Sequence, residues 1–348
     1  MKNFKLINLL LIVATSLLLV NCTTDPIPGP DGIDGVDGVD GVSGTAECAA
    51  CHNVAKSEEV HASYMFSGHF NENMDHGDGP LSAYGNRSSC TACHTSDGFI
   101  DYATVGSVTG DAYPGTQTIT CTTCHGEHTS FDFETDGFDY ALRILAPVTL
   151  MADASVTLDY GENIGSHTCA TCHQPRSTFE GAINDDGTVN VSSRFGPHYG
   201  AQSTLLEGIQ GAELAGYTYD GADGSAAHRA GSSCTQCHMG ESTGNNDGLH
   251  SLNWTETSCT GCHQNGVPAD DFLAEAYQTL EDLLLAEGLL EIDEDGETSI
   301  ISNPNADLIP AAALWNYRML YYDHSHGVHN PEYAKDLVNN SIEALSAN

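Results

Sequence analysis

The sequence predicts a mainly α chain with extensive loops, and three observations point that way. Between residues 48 and 263 the residues Gly, Ser, Thr, Asn and Asp dominate, which favours loops and short helices over sheet. Six short cysteine motifs punctuate that stretch at unequal spacings, so no solenoid repeat organises it. From residue 268 onward, apolar residues recur at a helical period and predict a C-terminal helical bundle.

The N-terminus comes first. Met1, Lys2 and Lys5 precede an apolar run from Leu6 to Val20, which ends at Asn21-Cys22. A basic stretch, a short apolar core and a polar exit read as an export signal, and the run is shorter than the ~20 residues that span a bilayer. An uncleaved membrane anchor is the alternative reading. Leu19-Val20-Asn21-Cys22 resembles the lipobox of bacterial lipoproteins, in which the cysteine (here Cys22) is acylated and becomes the new N-terminus. Glycine then recurs at every third position from Gly29 to Gly38, with Asp in most third places. These triplets are too few for a triple helix and read as a charged, self-repelling spacer.

Acidic residues outnumber basic ones by 48 to 10, a formal net charge of −38. Loss of Lys2 and Lys5 with the leader makes it more negative. Such a surface repels nucleic acid and anionic headgroups. It serves solubility, or docking to a basic partner.

Thirteen cysteines are present. Twelve of them, all but Cys22, fall into six C-x-x-C-H motifs: Cys48/Cys51/His52, Cys90/Cys93/His94, Cys121/Cys124/His125, Cys169/Cys172/His173, Cys234/Cys237/His238 and Cys259/Cys262/His263. On a helical turn, positions i, i+3 and i+4 share a face. Two thiols so placed bond the two vinyl groups of one porphyrin, and the histidine points at its iron. The motif is that of c-type haem attachment, so six haem c groups are expected. Zinc ribbons need no histidine after the second cysteine. A disulfide framework is not built of uniform i, i+3 pairs each trailed by His. Thioredoxin-like motifs come singly, in an α/β context.

Each iron has a second axial position. Eleven histidines remain after the six proximal ones, whereas only Met239 among the methionines abuts a motif, so histidine is the expected distal ligand. Bis-His ligation gives a lower potential than Met/His and closes the iron to substrate. Several local patterns resemble the superfamily that holds the pentahaem ammonia-forming nitrite reductases, the hydroxylamine-oxidoreductase-type octahaem proteins and many uncharacterised multihaem cytochromes. They are Ser67-Gly68-His69, the run from Cys121 to His128, Gly196-Pro197-His198, His228 ahead of the Cys234 motif, Gly248-Leu249-His250, Leu314-Trp315-Asn316-Tyr317, and Gly327-Val328-His329-Asn330-Pro331-Glu332-Tyr333. The resemblance covers roughly residues 47–348. It nominates His69, His128, His198, His228, His250 and His329 as distal ligands. His61, His76 and His167 are runners-up, and His324 and His326 compete with His329. In the nitrite reductases of that superfamily the catalytic haem has Lys as its proximal ligand. Here every C-x-x-C is followed by His and none by Lys, which removes the sequence argument for nitrite reduction.

The last region predicts three helices. Leu273, Ala276, Tyr277, Leu280, Leu283 and Leu284 follow the period of the first, which closes at Gly288. The second runs from Pro310 to about Tyr322 with Leu314, Tyr317 and Tyr321 on one face. Asn330-Pro331 caps the third, which continues through Leu337, Val338, Ile342 and Leu345. His329, between the last two, would fasten the bundle to a haem.

The expected layout is a lipoprotein-type signal peptide (1–21), an acylated Cys22 with its spacer (22–46), a cytochrome domain wrapped around six haems (47–267) and C-terminal helices packed on it (268–348). The expected activity is electron transfer through mostly bis-His, low-potential haems in an exported respiratory or extracellular chain. Partners would be other cytochromes or a membrane quinol oxidase module, with the membrane reached through the lipid anchor. The site would face the periplasm or the cell surface, and nucleic acid is excluded as a partner. Two alternatives stay open: a reductase of a small nitrogen or sulfur oxyanion with one open haem, and a subunit of an extracellular cytochrome filament.

Overall fold

The computed structural model describes residues 48–49, 52–70, 87–111, 113, 119–244, 246–269, 271–294 and 296–347. The leader, Cys22, the spacer, Cys51 and His76 lie outside the described residues. The chain divides into two units, Met1–Cys51 and His52–Asn348. Of the first, Cys48 and Ala49 are described, both helical. All that follows concerns the second.

Its first two-thirds is built of short helices and long connections, as the abundance of loop formers dictates. Helix α1 (Val54–Tyr64) is opened by Asn53, whose side chain accepts from the Lys56 amide at 2.9 Å. Helices α2 (Ser88–His94) and α3 (Ser96–Val105) are separated by Thr95, which caps α3 by accepting from the Gly98 amide at 3.1 Å. A Cβ on Gly98 would lie 2.4 Å from the Thr91 carbonyl oxygen, so glycine is what lets α3 fold back onto α2. Then come α4 (Cys121–Cys124), α5 (Phe133–Asp136), strands β1 (Val148–Thr149) and β2 (Thr157–Leu158), α6 (Gly165–Cys172) and β3 (Val189–Val191). Helices α7 (Gln202–Glu207), α8 (Ala227–Gly231), α9 (Cys234–His238) and α10 (Glu256–Thr260) complete this part.

The C-terminal part carries the long helices. These are α11 (Ala274–Ala286), α12 (Leu308–Asp323) and α13 (Pro331–Ser346), with strands β4 (Leu290–Ile292), β5 (Thr298–Ile300) and β6 (Asn303–Ala306) between the first two. The Asn330 side chain caps α13 by accepting from the Tyr333 amide at 3.1 Å, with Pro331 in the first turn. Among the described residues, sheet is limited to three two-stranded antiparallel ladders, β1–β2, β3–β6 and β4–β5. The β3–β6 ladder pairs Val189 with Ala306 and Val191 with Asn303, tying the motif-bearing region to the entry of α12.

The main apolar core is shared across residue 268. It joins Phe179, Val189, Val191, Phe195, Leu205, Ala212 and Leu214 to the buried faces of α11, α12 and α13. A smaller cluster gathers Val148, Leu150, Leu158, Tyr160, Ala170 and Leu206 beside α6.

Helix α12 departs from the one-faced stripe expected of it. Leu314 and Tyr317 are buried but Tyr321 is 39 % exposed, while the polar Asn316 and Arg318 are buried. The reason is that α12 is covered from two sides. Helices α11 and α13 pack on one side. On the other, Trp315 meets Phe179 and Phe195 edge-to-face, and its indole N–H donates to the Gln210 carbonyl at 2.9 Å. Asn316 accepts from the Ala212 amide at 2.7 Å and donates to the Ala212 carbonyl and to Ser341 Oγ. A buried amide is tolerated there because each of its polar atoms is satisfied. Among the described residues no helix is long and apolar enough to cross a membrane.

Candidate functional site

In the second to fifth motifs both cysteines lie in a helix: Cys90 and Cys93 in α2, Cys121 and Cys124 in α4, Cys169 and Cys172 in α6, Cys234 and Cys237 in α9. In α2 and α9 the histidine is helical too. In the third and fourth motifs its amide closes the turn onto the first cysteine's carbonyl, His125 on Cys121 at 3.0 Å and His173 on Cys169 at 2.9 Å. Cysteine and histidine side chains therefore share a face, as the i, i+3, i+4 spacing requires.

The sixth motif corrects that expectation. Helix α10 stops at Thr260, so Cys262 lies outside it, in a turn and exposed to solvent. The breaker-rich run Gly261 to Gly266 follows directly and does not continue a helix. The turn still keeps the three residues together. The Cys262 amide donates to the Cys259 carbonyl at 3.1 Å and the His263 amide to the same oxygen at 2.9 Å. Cys121 of the third motif is the other exposed motif cysteine among the described residues. None of the eleven described cysteines is joined to another by a disulfide. Among the described residues no three His, Cys, Asp or Glu side chains converge as a metal cluster.

What the structure brings together is imidazoles in twos. His52 faces His128, with ring centroids 6.0 Å apart, and His173 faces His69 at the same distance. His94 faces His198 at 6.3 Å and His125 faces His250 at 6.2 Å. His263 faces His228 at 6.1 Å and His238 faces His329 at 6.2 Å. Each of the six motif histidines thus meets one of the six nominated distal residues. The rings are too far apart and too steeply inclined, at 34° to 86°, to be stacked on each other. Two metal–imidazole bonds of about 2 Å on opposite sides of one iron would set ring centroids roughly 6 Å apart.

The remaining histidines have other positions. His167 is buried and satisfied: its Nε2 accepts from the Tyr160 amide and its Nδ1 meets the Leu145 carbonyl, both at 3.0 Å. It is a structural residue of α6. His61 is exposed on α1, and His324 and His326 are exposed in the turn between α12 and α13. Of the three neighbours, His329 is the one turned toward a motif histidine.

Several groups that hold the rings were not singled out by the sequence. Tyr140, Leu252 and Val328 offer carbonyls to Nδ1 of His125, His238 and His228, at 2.8, 2.9 and 2.6 Å. Gln202 Oε1 lies 3.3 Å from His173 Nδ1. Carboxylates of Asp139 and Asp323 meet Nδ1 of His128 and His329, each at 2.6 Å. Backbone carbonyls leave no trace in residue type. Asp323 did leave one, because it directly precedes the His324-Ser325-His326 run.

Electrostatics favours the ligating form of several rings. Burial, with the neighbouring His173, lowers the His69 pKa to about 4. Burial likewise lowers His173, His238 and His250. These rings are held neutral, the state in which imidazole binds a metal. His329 goes the other way. Burial pulls its pKa down, but the Asp323 charge and hydrogen bond outweigh it and leave it raised.

The attachment turns touch one another. Ser96, just after the second motif, hydrogen-bonds Thr120 and Thr123 of the third. Cys172 Sγ of the fourth lies 3.9 Å from the Ala92 carbonyl of the second. Ser166 of α6 meets Thr235 of the fifth motif at 3.3 Å. Ser258, before the sixth, donates to the Cys237 carbonyl of the fifth at 3.1 Å. Helix α1, which follows His52, reaches the third motif through Tyr64, whose hydroxyl donates to the Ile119 carbonyl at 2.5 Å.

The His52–His128 pair has aromatic side chains beside His128 and a mixed wall, with Val54 among Asn53, Ser57 and Glu58, beside His52. Phe131 and Phe133 lie 5.7 and 5.3 Å from the His128 ring, and Val54 lines a hollow of about 470 Å³ with His52 and His61. Val54 is 73 % and Phe131 78 % exposed, an arrangement suited to the faces of a large flat apolar group.

No family model matches the chain, and no curated protein does. Among solved structures it is similar to the outer cell wall cytochrome OcwA, at 19% identity and a TM-score of 0.49 over 82% of this chain. The chain spans 50% of the length of that protein.

Proposed function

We propose that this protein is a multihaem electron relay carrying six covalently attached c-type haems, each held between one motif histidine and one distal histidine. The observation that carries the reading is the set of six facing imidazole pairs, each with one member from a C-x-x-C-H motif. A bound haem of this kind takes up and returns one electron at its iron. The chain's own residues do the rest. The cysteine pairs anchor each porphyrin, the paired imidazoles close both axial positions, and the neighbouring carbonyls fix the ring orientations. Exposed Cys121 and Cys262 would leave an edge of the third and sixth porphyrins at the surface. Arg318 fits the same picture. Its Nε is buried without a hydrogen-bond partner, while its guanidinium lies 4.3 Å from the Tyr322 ring, beside Tyr199 and the His198 turn. A haem propionate is an anion suited to that place.

The packing of the attachment turns supports a continuous run of sites in the order first, third, second, fourth, fifth, sixth. Electrons would pass along it between two redox proteins at its ends. We place the chain in an exported electron-transfer chain, anchored through acylated Cys22 and held off the membrane by the 22–46 spacer, within the superfamily its motifs resemble.

The test is intact mass together with electron paramagnetic resonance. The mature protein should exceed its polypeptide by six haem masses, apart from lipid, and its ferric spectrum should be wholly low-spin. Zinc in a metal assay, or free thiols at any motif, would overturn the cofactor reading. A high-spin signal from about one haem in six that shifts with nitrite or cyanide would move the protein to the reductase class.

A further inference from the structure

Within the six pairs, the ring nitrogens turned away from the facing partner do not meet the same chemistry. Nδ1 of His125, His228 and His238 meets backbone carbonyls, and Nδ1 of His173 meets the Gln202 amide oxygen. These partners are neutral. Nδ1 of His128 and of His329 instead meets a carboxylate at 2.6 Å. Neither carboxylate is a loose surface group. Asp139 Oδ2 accepts from the Thr129 amide at 2.6 Å and its hydroxyl at 2.8 Å, and Oδ1 accepts from the Ala141 amide at 2.9 Å. The Asp323 side chain is 0 % exposed, and its Oδ2 accepts from the Ser325 amide and hydroxyl. In each case the pinning bonds leave Oδ1 aimed at the imidazole.

We propose that Asp139 and Asp323 are potential-setting residues, whose charges lower the reduction potentials of the His52–His128 and His238–His329 sites. The inference rests on the bis-His haem reading above. An imidazole whose Nδ1–H donates to an anion gains basicity and becomes a stronger electron donor to its metal. The negative charge also stabilises the ferric iron, which carries one positive charge more than the ferrous. Burial strengthens both effects, because little solvent screens them. Reduction adds one electron to each iron, and the carboxylate, its proton partner and both axial bonds persist. Asp139 and Asp323 are positioning residues, since each acts through the histidine it holds.

The test uses the full haem-loaded protein and the variants Asp139→Asn and Asp323→Asn. Asparagine keeps the oxygen that accepts from Nδ1 and removes the charge. In potentiometric titration followed by visible absorption, each variant should raise one of the six one-electron steps, and the double variant two, with six haems still attached and low-spin. Asp139→Glu and Asp323→Glu, which restore the charge, should return the step toward its wild-type position. Six unchanged steps in a fully loaded Asn variant overturn the proposal, as does a downward move. If an Asn variant does not load six haems, Asp139→Ser or Asp323→Ser, which also removes the charge, takes its place with the same two outcomes. Haem count by mass and the wild-type spin state report on the relay reading separately, so either can fail without the other.

Discussion

Each facing pair makes a prediction about one iron at a time. His198 comes from a turn with a positive φ of 70°, and His329 from a turn organised around Asp323. Attachment needs only the cysteines and the proximal ring, so His198→Ala and His329→Ala should each leave six haems bound and one high-spin. Visible and paramagnetic resonance spectra check this, and a wholly low-spin spectrum in either variant removes that residue as a ligand. His167 gives the opposite outcome. It is buried with both ring nitrogens hydrogen-bonded to backbone. His167→Ala leaves the Tyr160 amide and Leu145 carbonyl unpaired, at about 1–3 kcal/mol for each buried group. Thermal unfolding should shift down while all haems remain low-spin. A new high-spin signal would show that this ring, too, reaches an iron.

At the scale of elements, the long helices hold the short ones. The turn that carries His198 lies between β3, paired with β6, and the Gln210–Ala212 segment clamped by Trp315 and Asn316 of α12. Asn316 binds both the amide and the carbonyl of Ala212, and its third contact is Ser341 of α13. Asn316→Leu should therefore cost about 2–5 kcal/mol, since it strands buried backbone groups. Chemical denaturation measures that loss. The haem proposed between His94 and His198 should be the first to show a perturbed spectrum as denaturant rises. Simultaneous loss of all six low-spin signals, with no early change at that site, would count against the clamp.

At the scale of the molecule, the acidic excess bears on partners and the N-terminus on location. With 48 acidic residues against 10 basic ones, association with a basic redox partner should slow steeply as salt rises. Stopped-flow reduction by a basic cytochrome, compared at low and high ionic strength, measures this. A salt-independent rate would assign the charge to solubility alone. Cys22 is the one cysteine outside the six C-x-x-C-H motifs. Cys22→Ser should release the protein from membranes without altering its haem count, and fractionation with a labelled fatty acid reads both. Wild-type protein that never incorporates the label would remove the anchor.

What the sequence by itself determined is what local spacing encodes. The i, i+3, i+4 motifs fixed which cysteines and histidines share a turn. Asn330-Pro331 marked the start of α13, and the apolar period located α11 within two residues, because caps and periodicity act over a few neighbours. The same spacing did not reveal that Cys262 sits past the end of α10 and exposed, since a turn and a helix both place i and i+3 together. Resemblance nominated six further histidines, but not the motif histidines they face. The pairings His52–His128, His69–His173, His94–His198, His125–His250, His228–His263 and His238–His329 were decided by tertiary structure. They join residues 35 to 125 positions apart, and no local pattern records which loop returns to which turn. The same holds for α12. Its polar Asn316 and Arg318 carry no mark of burial in the sequence, and are interior because α12 is packed on more than one side. The choice of His329 over His324 and His326 has the same origin. Three histidines within six residues are equivalent to a reader of sequence, until the buried Asp323 carboxylate and the position of His238 distinguish one of them.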